Sequence, residues 1–198
     1  MTGPLQDAAE VEISDLAGLH AWLMANASRD AGVWLVTYKK GDLQRYVAYP
    51  DIVDELLCVG WVDSLPRAKD DLRTMLWISP RKPGSNWSRV NKEKVARLTA
   101  EGRMQPTGLA AVERATIDGS WSALDDVENG VVPDDLAQAF EAEPGTRAVW
   151  DGFPRSVRRG ALEQLLNAKQ PATREKRIGV IVASCAAGER PFQWKGRR

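Results

Sequence analysis

The 198-residue chain contains one histidine, His20, and two cysteines, Cys58 and Cys185. That leaves little room for a multi-histidine metal centre and excludes a cysteine-rich zinc site or a disulfide framework. Long apolar runs are missing as well. The longest, residues 178–187, falls well short of the roughly 20 residues that span a bilayer. Residues 1–13 are acidic without an apolar stretch, so no secretory signal is expected. No GxGxxG or GxxxxGK[ST] phosphate cradle occurs, nor HExxH, CxxC or GxSxG. A lone helical histidine reads as a surface or cap group, which argues against a Ser-His-Asp hydrolase. No metal or cofactor is expected. Both cysteines sit in apolar segments and read as reduced, buried thiols of a cytoplasmic protein, with a long-range Cys58–Cys185 bridge as the alternative.

Hydrophobic residues make up 43% and charged residues 27%, a globular balance with enough apolar material for one large domain or two small ones. Lysine plus arginine equal aspartate plus glutamate at 27 each, yet the charges are segregated. Residues 1–80 and 104–153 are acidic, whereas residues 81–103 and 155–198 are basic. Such blocks either dock on one another or form a basic face for an anionic partner.

Periodicity predicts the elements. Ser14 is a plausible N-cap for a helix carrying Leu16, Leu19 and Leu23, and the β-branched and aromatic run Val33 to Tyr38 reads as a strand. A second helix starts at Tyr49-Pro50-Asp51 and closes at Gly60. Two strands, Trp61 to Ala68 and Leu72 to Ser79, are joined by Lys69-Asp70-Asp71 as an antiparallel hairpin. Helices follow from about Trp87 to Glu101 and from Pro106 to Asp118, and residues 121–132 read as a linker. Beyond Pro133 every strong pattern is helical. The fold class is α+β: a small antiparallel sheet with helices over residues 1–120, a helical module over 133–188 and a basic tail over 189–198.

Two local sequences could carry chemistry. In Gly60-Trp61-Val62-Asp63-Ser64, strand alternation puts Trp61 and Asp63 on one face. Asp63 there is either a desolvated acid suited to proton transfer, with Ser64 or a lysine nearby, or a structural partner of Arg67 or Arg81. The run Pro80 to Lys92 feeds a proline- and glycine-bearing basic loop into a helix start, where backbone amides and cations favour anions. Ser85, Asn86 and Ser88 can add hydrogen bonds, and Trp87 can stack on a ring. The alternative is that Ser85 or Asn86 caps the helix and Trp87 plugs the core. Trp34, Trp61 and Trp77 fall in strands and read as core, whereas Trp87 and Trp121 sit at element boundaries and read as partly exposed. The candidate ligand-binding set is Lys39, Trp61, Asp63, Ser64, Arg81, Ser85, Trp87, Ser88, Asn91 and Lys92.

With those motifs in order, the chain resembles the YdeI/OmpD-associated family, the bacteriocin-protection or OmdA-type proteins. The residues that carry the resemblance are Gly32-Val33-Trp34-Leu35 with Lys39-Lys40, Gly60-Trp61-Val62-Asp63-Ser64, Pro80 to Lys92, Glu101-Gly102-Arg103-Met104, and the helical end, including Ala168-Lys169-Gln170-Pro171. The resemblance implies a bacterial stress-resistance role linked to bacteriocins or cationic antimicrobial peptides, and the family name carries an outer-membrane porin. It supplies no catalytic residues. Three readings follow: a cytoplasmic binding protein for an anionic small molecule or protein partner; a nucleic-acid binder using loop 81–92 and the basic tail, with Lys195, Arg197 and Arg198; or an enzyme using Asp63.

Overall fold

The computed structural model describes residues 8–192. Lys195, Arg197 and Arg198 of the basic tail lie outside the described residues. The chain divides into two compact units, Met1–Trp121 and Ser122–Arg198.

The first unit is built on a four-stranded sheet in the order β1-β2-β4-β3. β1 (Glu10–Glu12) pairs parallel to β2 (Val33–Tyr38), joined by helix α1 (Leu16–Ala25). β2 and β3 (Trp61–Ala68) both pair antiparallel to β4 (Arg73–Pro80). The hairpin and the β2 strand lie where the sequence places them, but β1 makes the sheet mixed rather than purely antiparallel. Three residues with a single valine carry no strand signal; pairing to β2 forms β1, not propensity. Asp15, not Ser14, caps α1, its carboxylate accepting from the Gly18 amide at 2.7 Å.

Helix α2 (Tyr49–Cys58) is the centre of this unit, with all seven residues from Ile52 to Cys58 buried. One side, with Ile52 and Leu56, packs with α1 residues Leu19 and Leu23 on the sheet face bearing Val33, Leu35, Trp61 and Ile78. The other side, with Val53, Leu57 and Cys58, packs against Trp87, against Val95 and Leu98 of α3 (Arg89–Ala100), and against Ala111 and Ala115 of α4 (Pro106–Ile117). Burying a helix all round brings its acids inside too. Asp54 pairs with Lys94 at 2.5 Å and with Arg97, and Glu55 pairs with Arg103 at 2.8 Å and with His20 Nδ1 at 2.7 Å. His20 therefore joins α1 to α2 rather than serving as a simple surface group.

The approach of α4 to the end of α2 is set by glycine. A Cβ on Gly108 would lie 2.2 Å from the Cys58 carbonyl oxygen, so only a bare Cα fits. Gly60, which follows α2, has φ of 78°, and a Cβ there would meet Ala111 at 2.9 Å.

The second unit contains α5 (Asp125–Asn129), α6 (Asp134–Ala142), α7 (Thr146–Asp151), α8 (Arg155–Leu166) and α9 (Pro171–Ala186). Their shared core holds Val127, Leu136, Phe140, Trp150, Ala161, Leu162, Leu165, Ile181 and Cys185. Helix α5 occupies the stretch that reads as linker, its Val127 buried in that core. Both cysteines are buried and unpaired. Among the described residues, no helix is long and apolar enough to cross a membrane.

Candidate functional site

A cavity of about 650 Å³ opens on the sheet of the first unit, within the range of small-molecule sites. Its walls come from the ends of β2 and β4, from β3, and from residues 46–52 at the start of α2. The β2–β4 register sets Thr37 opposite Thr74 and Leu35 opposite Leu76, so these residues share the face that α2 covers. On β3, Asp63 pairs with Ile78 and Pro66 with Leu76, with one extra β3 residue between. That bulge keeps Asp63 and Pro66 on the same side of the sheet although three positions separate them. It also carries Ser64 to the cavity wall.

The cavity wall divides by chemistry. Val47, Ile52, Pro66, Met75 and Leu76 are apolar, while Thr37, Ser64 and Thr74 supply hydroxyls. The Tyr49 hydroxyl donates to Asp63 Oδ2 at 2.7 Å. Desolvation first, then that bond, pushes the Tyr49 phenol up to about 12, which keeps it a donor through the neutral range. Lys39 and Lys40 also line the cavity. Lys39 Nζ donates to the carbonyls of Asp70 at 2.7 Å and Asp71 at 3.2 Å, which hold the ammonium in place without neutralising it. No carboxylate among the described residues pairs with Lys39 or Lys40.

The ten candidate residues do not converge on one place. Lys39, Asp63 and Ser64 line this cavity. Trp61 and Arg81 line a second, smaller one. Ser85, Trp87, Ser88, Asn91 and Lys92 line neither. Trp87 is core rather than partly exposed, at 1% exposure, packed against Trp121 at 5.1 Å between ring centroids. Ser88, rather than Ser85 or Asn86, caps α3 by accepting from the Asn91 amide at 3.3 Å. Ser85 closes a turn by donating its amide to the Lys82 carbonyl at 3.1 Å. Lys92 Nζ lies 5.9 Å from the Trp121 ring centroid. Asp63 takes its hydrogen bond from Tyr49 instead of pairing with Arg67 or Arg81. Tyr49, Thr37 and Thr74 join the site although no motif marks them; the one signal in the sequence is the alternation that puts both threonines on the face of Leu35 and Leu76. Among the described residues, no group of three or more histidine, cysteine, aspartate or glutamate side chains is placed to hold a metal ion.

Residues 11–111 match the model of a family described as a domain of unknown function, DUF8412. That span is just over half of the chain and includes every residue lining the larger cavity. The chain belongs to the DUF8412 family. Residues 129–188 match the family model described as "Bacteriocin-protection, YdeI or OmpD-Associated". This is the family the sequence resembles, and the match falls on the helical end, while the motifs from Val33 to Met104 lie within the DUF8412 span. No curated protein and no solved structure matches the chain.

Proposed function

We propose that the protein is a binding protein whose DUF8412 part holds a small organic anion with an apolar body in the larger cavity. One observation carries this reading: two lysines without carboxylate partners among the described residues stand beside an apolar floor and a tethered phenol in a hollow of ligand size. An acid group of the ligand would meet Lys39 and Lys40, its hydrocarbon part would cover Val47, Ile52 and Leu76, and its polar substituents would face Thr37, Ser64 and Thr74. The helical end, similar to bacteriocin-protection proteins, supports placing this binding within a stress-protection role. Two unpaired, buried thiols fit a reducing, cytoplasmic compartment.

The test is calorimetric titration with benzoate, hexanoate and phenyl phosphate, each beside an uncharged analogue of the same body. Acids should bind, and neutral analogues should bind far more weakly. Replacing Lys39 and Lys40 together with alanine should weaken acid binding roughly 10- to 100-fold, the loss expected for charge-assisted hydrogen bonds. Ser64→Trp, at an exposed position on the cavity wall, should block entry without lowering the melting temperature. Acids that bind equally well to both variants would refute the reading.

A further inference from the structure

We infer that the smaller cavity of the first unit is an oxyanion site, separate from the larger one and built on Arg81, Trp61 and Arg114. It has a volume of about 210 Å³, below the usual range for whole organic ligands and suited to a single phosphate, sulfate or carboxylate group.

Two buried donors in this hollow lack acceptors. Arg81 is 6% exposed and Trp61 1%. Arg81 Nε and Trp61 Nε1 are both buried without a hydrogen-bond partner, and both residues line this hollow. Buried indole N–H groups usually find an acceptor, and buried guanidinium groups are almost always paired. The Arg81 guanidinium makes one hydrogen bond, Nη1 to the Asn86 carbonyl at 3.3 Å, and lies 3.8 Å over the Trp87 ring. Neither contact brings a negative charge. No carboxylate pairs with it among the described residues; Asp63 acts on it only at longer range.

Burial pushes the Arg81 pKa down to about 10, so the group is still a cation at neutral pH. Leaving a buried charge uncompensated is costly. A water molecule could satisfy the two N–H groups but would leave the charge unbalanced. An oxyanion answers both needs, because its oxygens accept several N–H bonds and its charge offsets the guanidinium.

The remaining walls agree with that chemistry. Thr107 and Arg114 lie on the face of α4 that also presents Ala110 and Ala111, at helical spacing. Arg114 is exposed and adds a second cation at the rim; the Asp118 carboxylate feels it, but Asp118 spends its oxygens on the Gly84 and Ser120 amides. Among the described residues, no acidic side chain lines the cavity. Small side chains of Ala27, Val59, Ala110 and Ala111 make up the rest of the lining and leave room for an anion beside the guanidinium.

The experiment titrates the full-length protein with inorganic phosphate, sulfate and acetate against sodium chloride of matched ionic strength, following tryptophan fluorescence and calorimetric heat. At least one oxyanion should bind saturably, and the preference for phosphate or acetate reads whether the natural group is tetrahedral or planar. Arg114→Ala and Trp61→Phe should each weaken that binding about 5- to 10-fold while keeping the native circular dichroism. Arg81→Met should abolish it, and its melting temperature in oxyanion-free buffer should not fall, because an unbalanced buried charge has gone. Replacing Lys39 and Lys40 with alanine should leave the response intact, which separates this site from the larger cavity. The inference fails if none of the three ions binds saturably, if binding is equal in Arg114→Ala and Trp61→Phe, or if the lysine variant abolishes it. Should Arg81→Met not fold, the other two variants decide.

Discussion

The Tyr49 hydroxyl and Asp63 Oδ2 lie 2.7 Å apart and tie the first turn of α2 to the edge strand β3. The bond fixes two walls of the larger cavity with respect to each other, and its donor titrates far from neutrality.

That titration has a sign. The folded pKa of Tyr49, about 12, lies above its ordinary value of 10.0. A raised pKa means that the stabilisation is fully present below pH 10 and is lost as pH rises through 12. Wild-type stability should therefore fall over that window relative to Tyr49→Phe, and at pH 8 the variant should be less stable by about 1 kcal/mol. Urea melts at pH 8 and pH 11.5 check the difference, and ultraviolet titration of the phenolate checks the pKa directly.

Asp54 shows the opposite sign. Burial opposes its ionisation, but hydrogen bonds from Lys94 and Arg97 more than offset this and hold its pKa below 3.8. Its stabilisation is present above that value and lost as pH falls through the lower, folded pKa. Asp54→Asn should cost roughly 2–3 kcal/mol at pH 7, under the full value for breaking a buried pair because both cations keep some contact with water. In acid the wild type and the variant should converge in stability, which urea melts between pH 2 and 5 would show.

Alanine at two helical glycines should give opposite results. Gly108→Ala drives a Cβ toward the Cys58 carbonyl, which is backbone and cannot turn aside, so a loss of about 1–3 kcal/mol is expected despite the better helix former. Gly160→Ala, on the exposed side of α8 with nothing within 4 Å, should gain up to about 1 kcal/mol. Thermal melts of the two variants, run side by side, check the contrast.

Thiol chemistry provides a further check. Desolvation, followed by the nearby Glu55 charge, pushes the Cys58 thiol up to about 11, and desolvation raises Cys185. Both are buried, so neither should react with Ellman's reagent in native buffer, and both should react within minutes in 6 M guanidinium. Fast labelling of either cysteine in the native protein would contradict its burial.

The regular elements were legible because their signals are local. Val33 to Tyr38 is β-branched and aromatic throughout, Lys69-Asp70-Asp71 is too short for anything but a hairpin, and Gly102 and Gly119 end α3 and α4 at positive φ. What escaped depends on partners distant in sequence. β1 exists through β2, α5 through the core around Val127, and the buried position of Trp87 through α2 and α4. The larger cavity gathers four segments between Thr37 and Leu76, and no spacing rule foretells a hollow. Lys39, Asp63 and Ser64 were recognisable as polar residues beside a strand, but their common destination was not. In the sequence Arg81 is one basic residue of the loop 81–92 and a possible partner of Asp63; that no carboxylate among the described residues pairs with it emerges only once the chain is packed.

The bulge between Asp63 and Pro66 also bears on how this protein behaves in crowded solution. β3 forms one border of the sheet and is interrupted by that irregularity and by an imino acid, and β1 forms the other with just three residues. Neither border offers a neighbouring molecule a long, straight row of amides to zip onto. Concentrated samples should accordingly resist strand-by-strand polymerisation, and a variant that straightened β3 by deleting Leu65 would forfeit that protection.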